Sequence, residues 1–145
     1  MLLLAALHDL ADRRLRRLRR IHYQFRGDVD TTTGPIELTF DDGSVLLLDA
    51  GPDGESLGVG HEAWLDPFRP PLSAENRDYV DRFGKWTAFD VTDESPYATL
   101  IGQRVVAVDV RPSRRPDVAI GVVLRLQTAA IVVKVEGDEL SVSLL

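Results

Sequence analysis

Two stretches of this chain have nearly the same pattern of apolar residues. Residues 36–51 align with residues 122–137 without a gap, and each stretch ends in a glycine that a shorter apolar run follows. Three apolar runs joined by short turns predict a three-stranded antiparallel meander, and two meanders can bury their apolar faces against each other. The sequence therefore predicts an internal half-repeat over residues 36–59 and 122–144. Because unrelated hairpins share the same two-residue period, a true duplication is one of two alternatives.

Outside the two meander units the sequence predicts helices. A length of 145 residues fits a single domain. Leucines in residues 2–19 recur at helical spacing, which predicts an N-terminal helix. Ser73 and Gly84 are residue types that begin and end a helix, here a short central one over 74–83. The predicted fold is α+β and mainly β: two meander-like antiparallel units form a sandwich or a strongly curved sheet, with an N-terminal helix and a short central helix.

The N-terminal segment has a second interpretation. Residues 10–18 also align with residues 100–108, which would extend the repeat and make the later part of the segment a strand. In the helical interpretation the leucines pack inward and the intervening arginines face water. The residues expected inside are Leu7, Leu15 and Leu18, and those expected in water are Arg13, Arg16 and Arg20.

The first hairpin has two registers open to it. Asp42-Gly43 predicts a turn, because glycine readily adopts positive φ. A two-residue turn places Leu38 opposite Leu47, whereas a longer turn favours Leu46 and Leu48. Both meander units are expected to contribute core residues at equivalent places: Leu38, Phe40, Val45, Leu124, Leu126, Ile131 and Val133.

Charge is divided unevenly along the chain. Residues 1–26 contain seven arginines and two aspartates, a net +5, so the remainder carries −11 to give the total of −6. A strongly acidic body disfavours nucleic acid and suits a basic protein partner. The chain has no cysteine, and its apolar start lacks the positive charge that opens a signal peptide and is too short to span a bilayer. We expect a soluble cytoplasmic protein with no membrane partner.

No motif is complete enough to assign chemistry. The stretch Gly54-Glu-Ser-Leu-Gly58 matches the pattern around a serine-hydrolase nucleophile, but no histidine follows His61. The stretch Asp28-Val-Asp-Thr-Thr32 matches a phosphatase nucleophile motif, yet a run of strands replaces the alternating α/β pattern which that chemistry needs. Three histidines without cysteine make a poor zinc site. We therefore expect neither a metal nor a cofactor.

The segment 60–99, between the two repeat units, has the most individual composition. It holds seven of the ten aromatic residues, with several acids beside them. Tryptophan anchors concentrate binding energy, and nearby carboxylates accelerate encounter with a basic partner. The leading hypothesis is a non-enzymatic protein-binding module. Its predicted partner-binding residues are Trp64, Trp86, Asp90, Asp93 and Glu94.

Two other functions stay open. The first is a small enzyme with acid–base residues at His61, Glu62, Asp66 and Asp90, which requires these side chains to converge in one pocket. The second is a membrane or nucleic-acid accessory protein that acts through the N-terminal arginines, which requires them to be exposed on one face. The sequence does not predict an oligomeric state.

Three phrases carry a resemblance to other proteins: Ile36-Glu-Leu-Thr-Phe-Asp-Asp-Gly43, Gly84-Lys-Trp-Thr-Ala-Phe-Asp90 and Leu100-Ile-Gly-Gln-Arg104. Together they resemble an uncharacterised group of small bacterial β-rich proteins. The resemblance spans most of the chain and implies a β-rich fold, but it brings no catalytic residue. Small size and acidity also resemble toxin-immunity proteins in general character, which implies a protein that covers a basic partner.

Overall fold

The computed structural model describes residues 7–115 and 117–145, which form two antiparallel β-sheets. The first sheet contains β1 (Leu15–Phe25), β2 (Asp28–Asp30), β3 (Ile36–Phe40), β4 (Val45–Ala50), β5 (Leu57–Gly60) and β6 (Lys85–Asp90). The second contains β7 (Val105–Pro112), β8 (Ala119–Leu126), β9 (Ala130–Glu136) and β10 (Glu139–Leu144). The helix α1 (Ala74–Phe83) precedes β6, and a 3₁₀ turn (Tyr97–Leu100) follows it. The prediction of a mainly β chain with antiparallel sheets is confirmed.

The long strand β1 pairs with three other strands of the first sheet. It pairs with β6 along one edge and with β3 and then β2 along the other, and β4 and β5 continue outward from β3. The second sheet is a simple meander in the order β7-β8-β9-β10. Buried side chains from both sheets form one hydrophobic core. In the described residues no helix has the length and apolarity that crossing a bilayer requires.

The later part of the predicted N-terminal helix is a strand, which corrects that prediction, whereas Leu7 is buried as expected but lies before the strand. Leu15 and Leu18 are buried as expected, yet both lie in β1. A β-bulge between Leu15 and Arg17 adds one residue to the strand, so two leucines three positions apart can face the core together. That spacing imitates a helix. Of the described residues before β1 only 7–8 are helical, and residues 2–6 of the predicted helix lie outside the described part of the chain.

The first strands of the two sheets meet through a matched set of backbone hydrogen bonds. Arg14 pairs with Arg104 at the centre of this junction. Four bonds surround it in two equivalent pairs: Leu15 N to Gln103 O (2.9 Å) and Val105 N to Arg13 O (2.9 Å), then Asp12 N to Val105 O (2.8 Å) and Gly102 N to Leu15 O (2.7 Å). This local two-fold relation agrees with the alignment of residues 10–18 with 100–108. The duplication itself stays a prediction.

The β3–β4 hairpin has the longer of the two predicted turns. Leu38 pairs with Leu46, and Ile36 pairs with Leu48. Gly43 has φ 85° and donates its N–H to the carbonyl of Phe40 at 3.0 Å. This is the geometry of a three-residue loop with a glycine bulge.

The extra turn residue shifts the equivalence between the two meanders by one position in the second strand. In the second sheet Leu124 pairs with Ile131, as Leu38 pairs with Leu46 in the first. Leu46 therefore occupies the place that the ungapped alignment gives to Val45, which is only half-buried. The other predicted core residues are all buried: Leu38, Phe40, Leu124, Leu126, Ile131 and Val133.

Arg20 is buried, which corrects the prediction that it faces water. Only 3% of the residue is exposed. Its guanidinium donates to the hydroxyl of Tyr97 at 2.9 Å and to the carbonyl of Gly34 at 3.2 Å, and no carboxylate pairs with it among the described residues. Arg20 thereby ties β1 to the loop before β3 and to the 3₁₀ turn. Arg16 is exposed and Arg13 is half-exposed.

His22 makes the stability of this region depend on pH. Burial lowers its pKa, the hydrogen bond to the carbonyl of Thr33 (2.9 Å) raises it, and the charge of Arg20 lowers it further, for a net decrease. The folded state therefore prefers the neutral ring, so the free energy of unfolding should fall as pH drops below about 6.5. In urea unfolding between about pH 7 and about pH 5, His22→Gln should flatten this decline. His61→Gln, at an exposed position, should preserve it, and equal slopes in all three proteins would contradict the assignment.

Candidate functional site

A groove of about 610 Å³ lies on the face of the first sheet that points away from the core. Side chains alternate between the two faces of a strand. Since Leu38 faces the core, Glu37 faces the opposite side, together with its cross-strand neighbour Arg19. The groove forms where the segment after β5 and α1 approach this side. Its apolar wall consists of Ile21, Tyr23 and Trp86 from the sheet, Trp64, Leu65 and Phe68 from the connecting segment, and Tyr79 from α1.

A buried ion pair fixes the connecting segment to the sheet. Arg19 donates two hydrogen bonds to the carboxylate of Glu37, at 2.7 and 2.6 Å, and Glu37 is 2% exposed. The backbone of Trp64 joins both partners: its N–H donates to Glu37 at 2.7 Å, and its carbonyl accepts from Arg19 at 3.0 Å. Charge-assisted bonds of this kind are short and strong. They place Trp64 in the groove wall.

These bonds also decide the protonation state of Glu37. Burial raises the pKa of its carboxyl group. The hydrogen bonds from Arg19 and from the amide of Trp64, with the charge of Arg19, outweigh that effect and hold the pKa below its ordinary value. Glu37 therefore stays ionised at neutral pH, as the pairing requires.

The helix α1 forms the far side of the groove, and the residues at its two ends fix where it begins and where it stops. Ser73 accepts a hydrogen bond from the N–H of Asn76 at 3.1 Å, and the helix ends at Gly84, which has φ 76°. A Cβ at Gly84 would lie 2.5 Å from the carbonyl oxygen of Gln24, so glycine is required there. The predicted central helix is confirmed with its two boundary residues. The turn at Gly84 sends the chain into β6, where Trp86 pairs with Tyr23.

Four aromatic side chains of the groove form two ring pairs, and members of both pairs remain open to solvent. The rings of Tyr23 and Trp86 meet edge to face with centroids 5.5 Å apart. Phe68 stacks on Tyr79 at 5.4 Å, and Tyr79 contacts Phe83 at 5.1 Å. Trp86 is 42% exposed and Tyr79 49% exposed. Large aromatic residues that stay this exposed as a group are typical of interaction surfaces.

Two exposed aspartates also line the groove. Asp49 comes from β4, and Asp138 comes from the turn between β9 and β10. The carboxylate of Asp49 accepts a hydrogen bond from the N–H of Ala50 at 2.7 Å, and partial desolvation raises the pKa of its carboxyl group. Neither aspartate belongs to an ion pair within the described residues. Lys85 also lines the groove, but it pairs with Asp66.

The structure brings the two tryptophans predicted for the site together and separates the three acids from them. Trp64 and Trp86 both line the groove. Asp90 lies at the other end of β6, where it pairs with Arg17 at 3.0 Å. Asp93 and Glu94 are exposed in the turn beyond it. The binding role of all five residues stays a prediction.

Several residues that line the groove were not predicted from the sequence. Tyr23 could have been found, since it follows Arg19 and Ile21 on the alternating outer face of β1. No sequence pattern indicates Asp49 or Asp138, since Asp138 reaches the groove only where turns of the two sheets touch. The N–H of Asp138 donates to the carbonyl of Gly54 at 3.1 Å across that contact.

The acid–base residues considered for an enzyme do not converge. His61 and Glu62 are exposed, and the groove wall contains neither of them. Asp66 pairs with Lys85, and Asp90 pairs with Arg17. Within residues 7–115 and 117–145 no group of three or more potential ligands could hold a metal ion. The serine of the Gly54–Gly58 motif donates to a neighbouring aspartate in its own turn.

The N-terminal arginines are likewise not arranged on one exposed face. Arg17 and Arg19 are held by carboxylates, and Arg20 lies inside the protein. The accessory hypothesis requires these arginines to be exposed on one face. The burial of Arg20 departs from that arrangement.

A scan against protein-family models, a search of curated proteins and a search of solved structures each find no match for this chain. The resemblances inferred from the sequence therefore stay predictions.

Proposed function

We propose that this protein is a non-catalytic binding module that holds a segment of a partner protein in the aromatic groove. The observation that carries the proposal is a set of large apolar side chains left partly exposed around one concave site, with Trp86 at 42% exposure. Aromatic anchors supply much of the binding energy in protein interfaces when a partner completes their burial. Pockets for ligands are typically concave and mainly apolar with a few polar groups.

The rigidity of the groove supports the same function. Trp64 is held by backbone bonds to the buried Arg19–Glu37 pair, and Lys85 is tied to Asp66 in the same connecting segment. A wall that is already ordered loses little conformational entropy on binding. A partner segment would therefore meet a preformed site.

We also propose the finer features that the sequence suggested. The excess of acidic over basic residues favours a basic partner, in the manner of an immunity-type protein that covers its target. Stacking of the two sheets as a sandwich would agree with the single core that they share. A cytoplasmic location agrees with the absence of cysteine.

Selection from a random peptide library tests the binding function. Peptides retained by the wild-type protein should bind Trp86→Ala about 30-fold more weakly, since loss of an aromatic anchor costs about 2 kcal/mol or more. Val106→Ala is the matched control, because Val106 is 49% exposed but lies on the second sheet outside the groove. Melting curves verify that both variants fold. Equal retention of the selected peptides by wild type and Trp86→Ala would overturn the proposal.

A further inference from the structure

The groove contains acidic side chains in addition to its aromatic rings. Asp49 and Asp138 enter it from different sheets, and neither carboxylate pairs with a cation within the described residues. Other acids near this site are neutralised: Glu37 pairs with Arg19, and Asp66 pairs with Lys85. The groove thus combines aromatic rings with two carboxylates that have no ion-pair partner in the described part of the chain.

We infer that the groove receives an arginine side chain of the partner, an inference that rests on the proposed binding function. A guanidinium is attracted to the faces of tyrosine and tryptophan rings, and its planar fork matches a carboxylate. Tyr23, Tyr79 and Trp86 supply the rings, and Asp49 and Asp138 supply the carboxylates. A neutral or acidic side chain would leave both exposed carboxylates without a counter-charge.

Two features favour a cation over an uncharged apolar ligand. The first is Asp49 itself, which is exposed in the groove wall and whose carboxyl pKa is raised by partial desolvation. A cation placed beside it would relieve that cost. The second is the net charge of −6, which attracts basic segments at long range. Lys85 does not cancel this attraction, because Asp66 already neutralises it.

Both tryptophans of the chain lie in this groove, so their indole N–H signals in ¹H–¹⁵N spectra report on it directly. The probe is N-acetyl-arginine methylamide, and its uncharged isostere N-acetyl-citrulline methylamide is the reference. Titration with the arginine probe should shift the indole signals of Trp64 and Trp86 in a saturable way. The citrulline probe should bind at least about fivefold more weakly, and added salt should reduce the difference.

Matched variants locate the charges responsible. The double variant Asp49→Asn, Asp138→Asn should weaken binding of the arginine probe about fivefold. Asparagine suits position 138, where φ is 68°. Asp41→Asn, at an exposed acid in the β3–β4 turn outside the groove, should leave binding unchanged. Equal binding of the arginine and citrulline probes, no shift with either, or full binding by the double variant would overturn the inference.

Failure of this inference can be told apart from failure of the proposed function. If the peptide library yields sequences that need Trp86 but contain no enriched arginine, the groove binds protein segments and the arginine inference is wrong. If no peptide depends on Trp86, both are wrong. Enrichment of arginine in peptides that need Trp86, Asp49 and Asp138 is the expected result.

Discussion

Replacement of Glu37 by alanine should lower the free energy of unfolding by about 3–5 kcal/mol and displace the wall of the groove. Glu37 is 2% exposed and accepts bonds from Arg19 and from the N–H of Trp64. Its loss leaves a largely buried guanidinium without a counter-charge and a backbone N–H without an acceptor. Urea unfolding measures the change in stability, and the indole signal of Trp64 reports the displacement.

An exposed ion pair in the second sheet provides a control, because it shows what the loss of a salt bridge costs when neither partner is buried. Asp109 pairs with Arg125 across β7 and β8 at 2.6 Å, but both side chains are nearly half-exposed. Asp109→Ala should therefore cost less than about 1 kcal/mol. Similar small losses for Glu37→Ala and Asp109→Ala would contradict the structural role given to the buried pair.

Acid should affect the Glu37 pair in a defined direction. The pKa of Glu37 is lower in the folded state than its ordinary value of 4.5, so its contribution to stability is complete above that value. The contribution is lost as pH falls through the lower pKa of the folded state. In Glu37→Gln this part of the acid dependence should be absent.

The leucines at the centre of the two meanders should have large and similar effects. Leu38 is 1% exposed and Leu124 is fully buried, and each pairs with a buried residue of the next strand. Leu38→Ala and Leu124→Ala should each cost about 2–5 kcal/mol, from lost burial plus the cavity left behind. Val106→Ala, at an exposed site on β7, should cost less than about 0.5 kcal/mol.

Unfolding of the three variants in urea compares these values directly. Similar costs at Leu38 and Leu124 are expected because both side chains occupy the second strand from the same kind of junction. A loss below about 1 kcal/mol at either leucine would contradict its place in the shared core.

The sequence was sufficient to predict elements that depend only on residues near one another in the chain. The helix α1 is bounded by the side chain of Ser73 and by the positive φ of Gly84, and both signals can be read without knowledge of the rest of the fold. The two meanders were also recognisable from alternating apolar residues. Local chemistry was sufficient for these parts.

Errors arose where one extra residue changed a strand. The bulge at Leu15 gave β1 an apparent helical period, and the bulge at Gly43 moved β4 by one position relative to β9. A one-residue slip exchanges the faces of a strand, and only pairing with its neighbours selects the register. The burial of Arg20 was not predicted for a related reason, since the groups that accept its hydrogen bonds come from segments distant in the sequence.

The candidate site was predictable only in part. Aromatic density indicated Trp64 and Trp86, which the structure places in one groove. Proximity in sequence also suggested Asp90, but the pairing of β6 with β1 carries its carboxylate to Arg17 at the opposite end of the strand. Asp138 belongs to the groove through contact between the sheets, which no sequence pattern specifies.

The most direct test is an experimental structure of the protein with a peptide selected on the wild type without counter-selection. We expect the peptide to lie in the groove, in contact with Tyr23, Tyr79 and Trp86, with an arginine directed toward Asp49 and Asp138. A peptide bound to the outer side of the second sheet near Val106, with the groove left empty, would contradict the proposed function.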